Sequence, residues 1–445
     1  MTILKNKNHF LVALLSACLY FYLAYFLKRE QFVPLLVVVA ILFGSFTYFI
    51  NHKTLSAKYL FQFGLIFRSV FLLSTPFLSQ DFYRFIWDGR LIMQHVSPFE
   101  FKPNSIINTT TIAQARQLFD GMGNLSAGHY SNYPPVNQLF FASAALLSSK
   151  SILGSIIILR LEIIAADVAI YFLGKSILKR LSLNQNAIFL YFLNPLVIIE
   201  LSGNLHFEGV MLCFFLCGIY FLIQKKIAAA AIFIALSIST KLLPLMLLPI
   251  FFKYLGWQKS VLFYIVIIVL NIIFFLPFFS IYLVDHYLNT ISLWFVNFEF
   301  NASFYYIVKA IGFYFKGYNI IGSVAKVTPI LLILFIAFVS FYKNNKTTDK
   351  LMTSFLLILT IYFLLATTVH PWYVINLVLI SCFTKFRFAV IWSFTIFLSY
   401  FAYSNKQFNE NLLLLIIEYT IVFAFIFYEL YFKDVQNKNF KKISW

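Results

Sequence analysis

The run YLFQFGLIFRSVFLLSTPFL, Tyr59 to Leu78, leads without a break into SQDFYRFIWDGR, Ser79 to Arg90. The first stretch has the roughly 20 apolar residues that a helix needs to cross a bilayer. The second sets two aspartates and two arginines at the edge of that bilayer. Between Leu78 and Phe101 lie five charged residues and a histidine, in a chain of which only 11% is charged. A membrane helix that surfaces into concentrated charge fixes the fold class and poses the functional question together.

The pattern recurs along the whole chain. Of its 445 residues 61% are hydrophobic and 20% aromatic, and the mean hydropathy is +0.85. A soluble domain cannot hide that much apolar surface, so an all-α, polytopic membrane protein is expected. Candidate spans fall at 10–27, 33–50, 59–78, 152–173, 186–202, 208–224, 260–280, 326–342, 351–369, 371–384, 387–403 and 411–432. Two further stretches, 135–149 and 227–252, read as short, broken or re-entrant, which gives about 12–14 transmembrane or re-entrant helices. The runs are continuous and do not alternate, which excludes barrel strands. The first run follows Lys5 and Lys7 without a small-residue cleavage site and is expected to stay as a membrane helix.

A net charge of +18 raises nucleic acid as a partner, but its distribution points to the membrane instead. Lysines and arginines cluster in short connections and in KDVQNKNFKKISW at the C-terminus, as positive-inside topology requires. Cys18, Cys213, Cys217 and Cys382 all lie inside apolar runs with no CxxC, so neither disulfides nor a metal site is expected. No glycine-rich phosphate loop, HExxH or GxSxG occurs, and no cofactor is expected.

Basic residues assign the N-terminus, NHKTLSAK (51–58), KNNKTTDK (343–350) and the tail to the cytoplasm. Three crossings then put Asp81 and the segment to Pro135 outside, together with the region of residue 370 and with 281–325. GKSILKR (174–180) and QKK (224–226) fit this topology only if 135–149 and 227–252 do not cross fully. The chain reads as one integral membrane domain, 1–445, with external segments at 79–135 and 281–325.

Within the first external segment, 81–95 reads as a helix on the membrane surface. Asp81, Arg84 and Asp88 share one face, while Tyr83, Trp87 and Arg90 form a second stripe with rings suited to the interface. The alternative is structural, with Asp81 capping the helix and Arg84 bridging both carboxylates. In TTVHPWYVI, Pro371 opens a helix and His370 occupies its cap position, with Trp372 and Tyr373 following. In ISTKLLPLMLLP, Lys241 stands in an apolar stretch broken by Pro244 and Pro249, either snorkelling or meeting an anion such as phosphate. GNLHFEG adds His206 and Glu208 between two spans, and WFVNFEFNASFYY adds Asn297 and Glu299 among aromatics.

These pieces together resemble the GT-C-type membrane glycosyltransferases, in particular mannosyltransferases that use polyprenyl-phosphate-linked mannose. In that family S-x-D-x-Y-R-Y-x-W-D-G-R follows an early span, as SQDFYRFIWDGR does here, and NYPPV (132–136), HFEG, STKLLPLMLLP and HPWY keep the order and spacing. Where the family has Gly-x-Asn-Pro-Tyr this chain has HVSPFEF (95–101). The resemblance implies a GT-C-like fold, Asp81 as the catalytic aspartate and His370 beside the donor phosphate. It further implies inverting transfer of mannose from a polyprenyl-phosphate sugar to a glycan or glycolipid acceptor. The site would face the periplasm from a bacterial inner membrane, among membrane lipids. Arg84, Asp88, Arg90, His206, Glu208, Lys241, Asn297, Glu299, Trp372 and Tyr373 are the expected substrate-binding residues. Intramembrane Lys241 and broken helices also fit a transporter or flippase of lipid-linked sugars, and a lipid-linked glycan polymerase or ligase is a third reading.

Overall fold

A computed structural model describes residues 2–52, 54–296 and 298–432. The described residues are helical throughout and form no β-strand, only an isolated bridge between Phe300 and Thr368. Six helices are long and apolar enough to cross a membrane, and a bent pair over 185–203 would make a seventh. Shorter apolar helices of 10–17 residues complete the bundle. The spans Trp257–Phe278 and Ile321–Phe341 are only 17% buried, against 56% for Thr348–Leu365. Apolar side chains left uncovered on that scale belong in lipid, and the chain is an integral membrane protein.

The first three helices, α1 (Thr2–Tyr25), α2 (Phe32–Asn51) and α3 (Ala57–Ser69), are joined by short connections. Ser56 caps α3, its hydroxyl accepting from the Tyr59 N–H. A tight turn links α1 to α2, with the Gln31 side chain accepting from the Lys28 N–H at 2.9 Å. The long helix Ile152–Arg180 runs antiparallel to α3. Its Arg160 donates to the carbonyls of Leu72 and Ser74 beyond the end of α3, while Tyr171 lies 4.6 Å from Phe61. GKSILKR therefore sits at the NHKTLSAK end of the bundle, away from Asp81.

The two ambiguous stretches resolve for physical reasons. Pro135–Leu147 has 13 residues and reaches only about 20 Å, too short to cross. It packs beside the segment that follows α3, with Phe141 stacked on Phe85 at 4.6 Å. Residues 227–255 form a hairpin. Ile227–Thr240 runs up to Lys241, and the chain returns through a proline-bearing 3-10 turn, Leu243–Ile250. At the other end Lys253 donates to the carbonyls of Phe341 and Lys343.

Two expectations are corrected. The stretch 186–202 is not one straight helix. Its two halves meet at 51° where Asn194 caps the second half and Pro195 occupies its first turn, removing a backbone donor. The second half continues as a π-helix, Ile198–Gly203. In the helix after α3, α4 (Asp81–Met93), the expected interfacial stripe is split: Trp87 is fully buried, as are Phe82 and Phe85, while Tyr83 is half-buried. Gly89 is the point of closest approach, since a Cβ there would stand 2.0 Å from the Phe141 carbonyl oxygen.

Candidate active site

Asp81 opens α4 where the chain leaves the α3 region, its N–H donating to the Ser79 hydroxyl. The carboxylate is partly exposed and has no hydrogen-bond donor or ion-pair partner among the described residues. Burial pushes it above the ordinary carboxylate range. Lys241 and then Arg29 pull in the opposite direction, and Glu208 adds to the rise. A carboxylate crowded by protein yet bonded to none of it is poised to accept a proton.

The charged side chains farther along α4 have internal partners. Arg84 donates through Nε to Asp88 at 2.7 Å and through its amino end to the carbonyls of Ser126 and His129. Asp88 also accepts from the Ser131 hydroxyl at 2.6 Å and from Gln138 at 3.2 Å. Arg90 donates to the Ala113 carbonyl and the Gln114 side chain. These three residues bind the chain between 113 and 138 onto the helix.

Lys241 ends its helix in extended backbone and meets Glu208 at 2.5 Å. Glu208, in the first turn of Glu208–Ile223, is almost wholly covered, while Lys241 keeps a fifth of its side chain exposed. Arg29 reaches in from the α1–α2 turn, its guanidinium carbon 3.6 Å above the Tyr403 ring.

Three rings stack at the start of the Pro371–Ser381 helix. Trp372 is covered on one face by His206 at 3.8 Å and on the other by His370 at 4.3 Å. As expected, Pro371 occupies the first turn of its helix and His370 the cap position, with no capping bond from the ring. Phe300 stacks on His370 at 5.1 Å, and its backbone pairs with Thr367 and Val369. Burial, with Lys241 and Arg29 nearby, pushes His370 down to about 3 and holds His206 well below its usual range, there with Lys241 and His370 contributing. Both shifts favour the neutral imidazole.

One further carboxylate links the chain before Asp81 to His206. Glu200, fully buried in the π-helical turn, accepts from the Tyr400 hydroxyl and from Asn204, and lies 3.5 Å from His206 Nε2. Asn204 in turn accepts from the N–H of Leu78, three residues before Asp81. π-Helical turns concentrate at functional sites because the extra residue re-aims neighbouring side chains.

Of the residues expected from sequence, Asp81, His206, Glu208, Lys241, His370, Trp372 and Tyr373 gather at this end of the bundle. Tyr373 meets His370 edge-on. Arg84, Asp88 and Arg90 face the loop instead. Glu299 belongs to another cluster, with Tyr305, Lys309 and Asn319, and Asn297 lies outside the described residues. Arg29, Glu200, Tyr400 and Tyr403 were not anticipated. Glu200 carried a legible sign, an ionisable residue inside an apolar run, whereas Arg29 looked like any basic residue in a short connection.

Comparison with known families gives one match, to the N-terminal domain of alpha-(1->6)-mannopyranosyltransferases, over residues 15–256. That is just over half of the chain, and it spans Arg29, Asp81, Glu200, Glu208 and Lys241. Searches among curated proteins and among solved structures gave no match. The chain belongs to the alpha-(1->6)-mannopyranosyltransferase family and is a membrane-embedded glycosyltransferase that transfers mannosyl groups.

Proposed function

We propose that the sugar comes from a polyprenyl-phosphate-linked mannose and passes, with inversion, to a glycan or glycolipid acceptor on the outer side of the membrane. The observation that carries this reading is the unpartnered carboxylate of Asp81 at one end of the helical bundle, within electrostatic reach of Lys241 and Arg29, the two cations that also act on His370. A lipid-borne donor keeps its tail in the bilayer and brings its head group to that level.

Asp81 acts as general base. The acceptor oxygen attacks the anomeric carbon as its proton passes to the carboxylate, and the bond from that carbon to the phosphate oxygen breaks. Polyprenyl phosphate departs with the bonding pair. Negative charge grows on it in the transition state, where a cation or a preorganised donor is worth most. Lys241 supplies the former and the neutral His370 ring the latter. Inversion of a β-linked lipid donor yields an α-linked product, in keeping with the linkage in the family's name.

Glu208 orients Lys241. His206, Trp372 and Tyr373 hold His370, and Arg84, Asp88 and Arg90 shape the loop against which the acceptor lies. Positive-inside topology puts this end of the bundle outside, because the basic connections lie at the other end.

Incubating purified enzyme with polyprenyl-phosphate-mannose and candidate acceptors, read by mass spectrometry, should show polyprenyl phosphate and mannosylated acceptor appearing together. Consumption of a nucleotide-linked mannose in its place overturns the donor. In a background lacking the four native cysteines, Ser105→Cys should react with an impermeant thiol reagent from outside and Lys346→Cys should not. The opposite pattern reverses the orientation.

A further inference from the structure

The two cations that act on Asp81 are held very differently. Lys241 is neutralised by Glu208 at 2.5 Å. Arg29 has no carboxylate within ion-pair distance among the described residues, and its neighbour Glu30 points to solvent. Its Nε is buried without an acceptor. A partly buried guanidinium left without an anion is costly unless a ligand completes it.

We propose that Arg29 is the residue that grips the phosphate of the lipid donor, with Lys241 in a supporting role. The inference rests on the lipid-phosphate reading above. Tyr403 engages the guanidinium through its ring and a side-chain hydrogen bond, and the Nε donor is left without a partner for a phosphate to complete. The Lys28–Gln31 turn fixes the backbone that carries it. Tyr403 lies 5.8 Å from Phe300, which stacks on His370, so two rings link Arg29 to the other proposed phosphate contact.

The location also suits a lipid. Arg29 follows the end of α1, and just before it Phe21, Tyr22 and Phe26 leave their rings exposed on the helix surface. A prenyl chain lying along that apolar face carries its phosphate up to the guanidinium. α1 and α2 thus contribute chemistry to the site as well as packing.

The test uses farnesyl monophosphate and farnesol as paired probes, titrated against the full-length enzyme in nanodiscs. Wild type should bind the phosphate more tightly than the alcohol. Arg29→Ala should weaken phosphate binding about 10- to 100-fold and leave farnesol binding unchanged. Arg29→Lys should restore part of the loss, because charge returns without the planar fork. Arg29→Gln, which keeps hydrogen-bonding capacity without charge, serves if the alanine variant does not fold. If the wild type prefers the phosphate and the folded Arg29 variants keep that preference, Arg29 is not the phosphate ligand although the donor reading stands. If wild type shows no preference, the donor reading fails and takes this inference with it.

Discussion

Asp81 and Asp88 lie two turns apart on one helix and are treated in opposite ways. Asp88 is completely buried and accepts from Arg84, Ser131 and Gln138. Asp81 is partly exposed and accepts from nothing described. The same contrast separates Arg68 from Arg29. Arg68 is fully buried against Asp167 at 2.8 Å and donates to the carbonyls of Gly64 and Phe192, whereas Arg29 has a ring face. A membrane protein keeps few charges, and those whose partners are all internal hold the fold together. The ones without an internal counter-ion are those proposed to meet a ligand.

The sharpest way to break this contrast is to remove each carboxylate in turn. Asp81→Asn should lower turnover about 10²- to 10⁴-fold with no change in thermal unfolding, measured on the purified enzyme in detergent. Asp88→Ala should do the reverse. It leaves Arg84 without its buried anion and should cost about 3–5 kcal/mol of stability, read from the unfolding midpoint, while enzyme that remains folded keeps its donor affinity. If the asparagine variant unfolds early and the alanine variant merely slows, the two roles have been exchanged.

A pH profile sharpens the comparison further. Asp81 must be ionised to take a proton, so kcat/KM should fall as pH drops through its elevated pKa. Lys241 lowers that pKa and Glu208 raises it, so Lys241→Ala removes the opposing charge and leaves Glu208 unneutralised. Both changes move the acidic limb to higher pH. An unmoved limb would show that the titrating group is not Asp81.

The smallest effect concerns the ring stack. Trp372→Phe keeps an aromatic between His206 and His370 but loses area on both faces, which should cost about 0.5–1.5 kcal/mol and slow turnover a few-fold. A loss as large as that of Asp81→Asn would mean that the indole touches substrate directly.

The sequence made the ends of the site legible and hid its middle. Asp81 stood out because charge is conspicuous where an apolar run ends, and the His370–Pro371 pair announced a helix start that the fold contains. Arg84, Asp88 and Arg90 were just as conspicuous, yet their partners at 113–138 are reached only by folding of the loop. The stripe of Tyr83, Trp87 and Arg90 satisfied the helical period, but periodicity cannot say what covers a face, and here Pro135–Leu147 covers Phe85. Lys241 was conspicuous as a cation in an apolar stretch, while its pairing with Glu208, 33 residues away, is a tertiary fact. The π-helical turn that carries Glu200 has no sequence pattern of its own.

The family match ends at residue 256, at a glycine whose φ of +74° turns the chain from one hairpin into the next span. Arg29, Asp81, Glu208 and Lys241 precede that seam, whereas His370, Trp372, Tyr400 and Tyr403 follow it. The two halves are physically coupled. A substitution at Tyr403 is felt by Arg29 and one at Tyr400 by Glu200, so rings of the second half constrain charges of the first. Recombination at the glycine would preserve both backbones and still separate the charges from the rings that aim them.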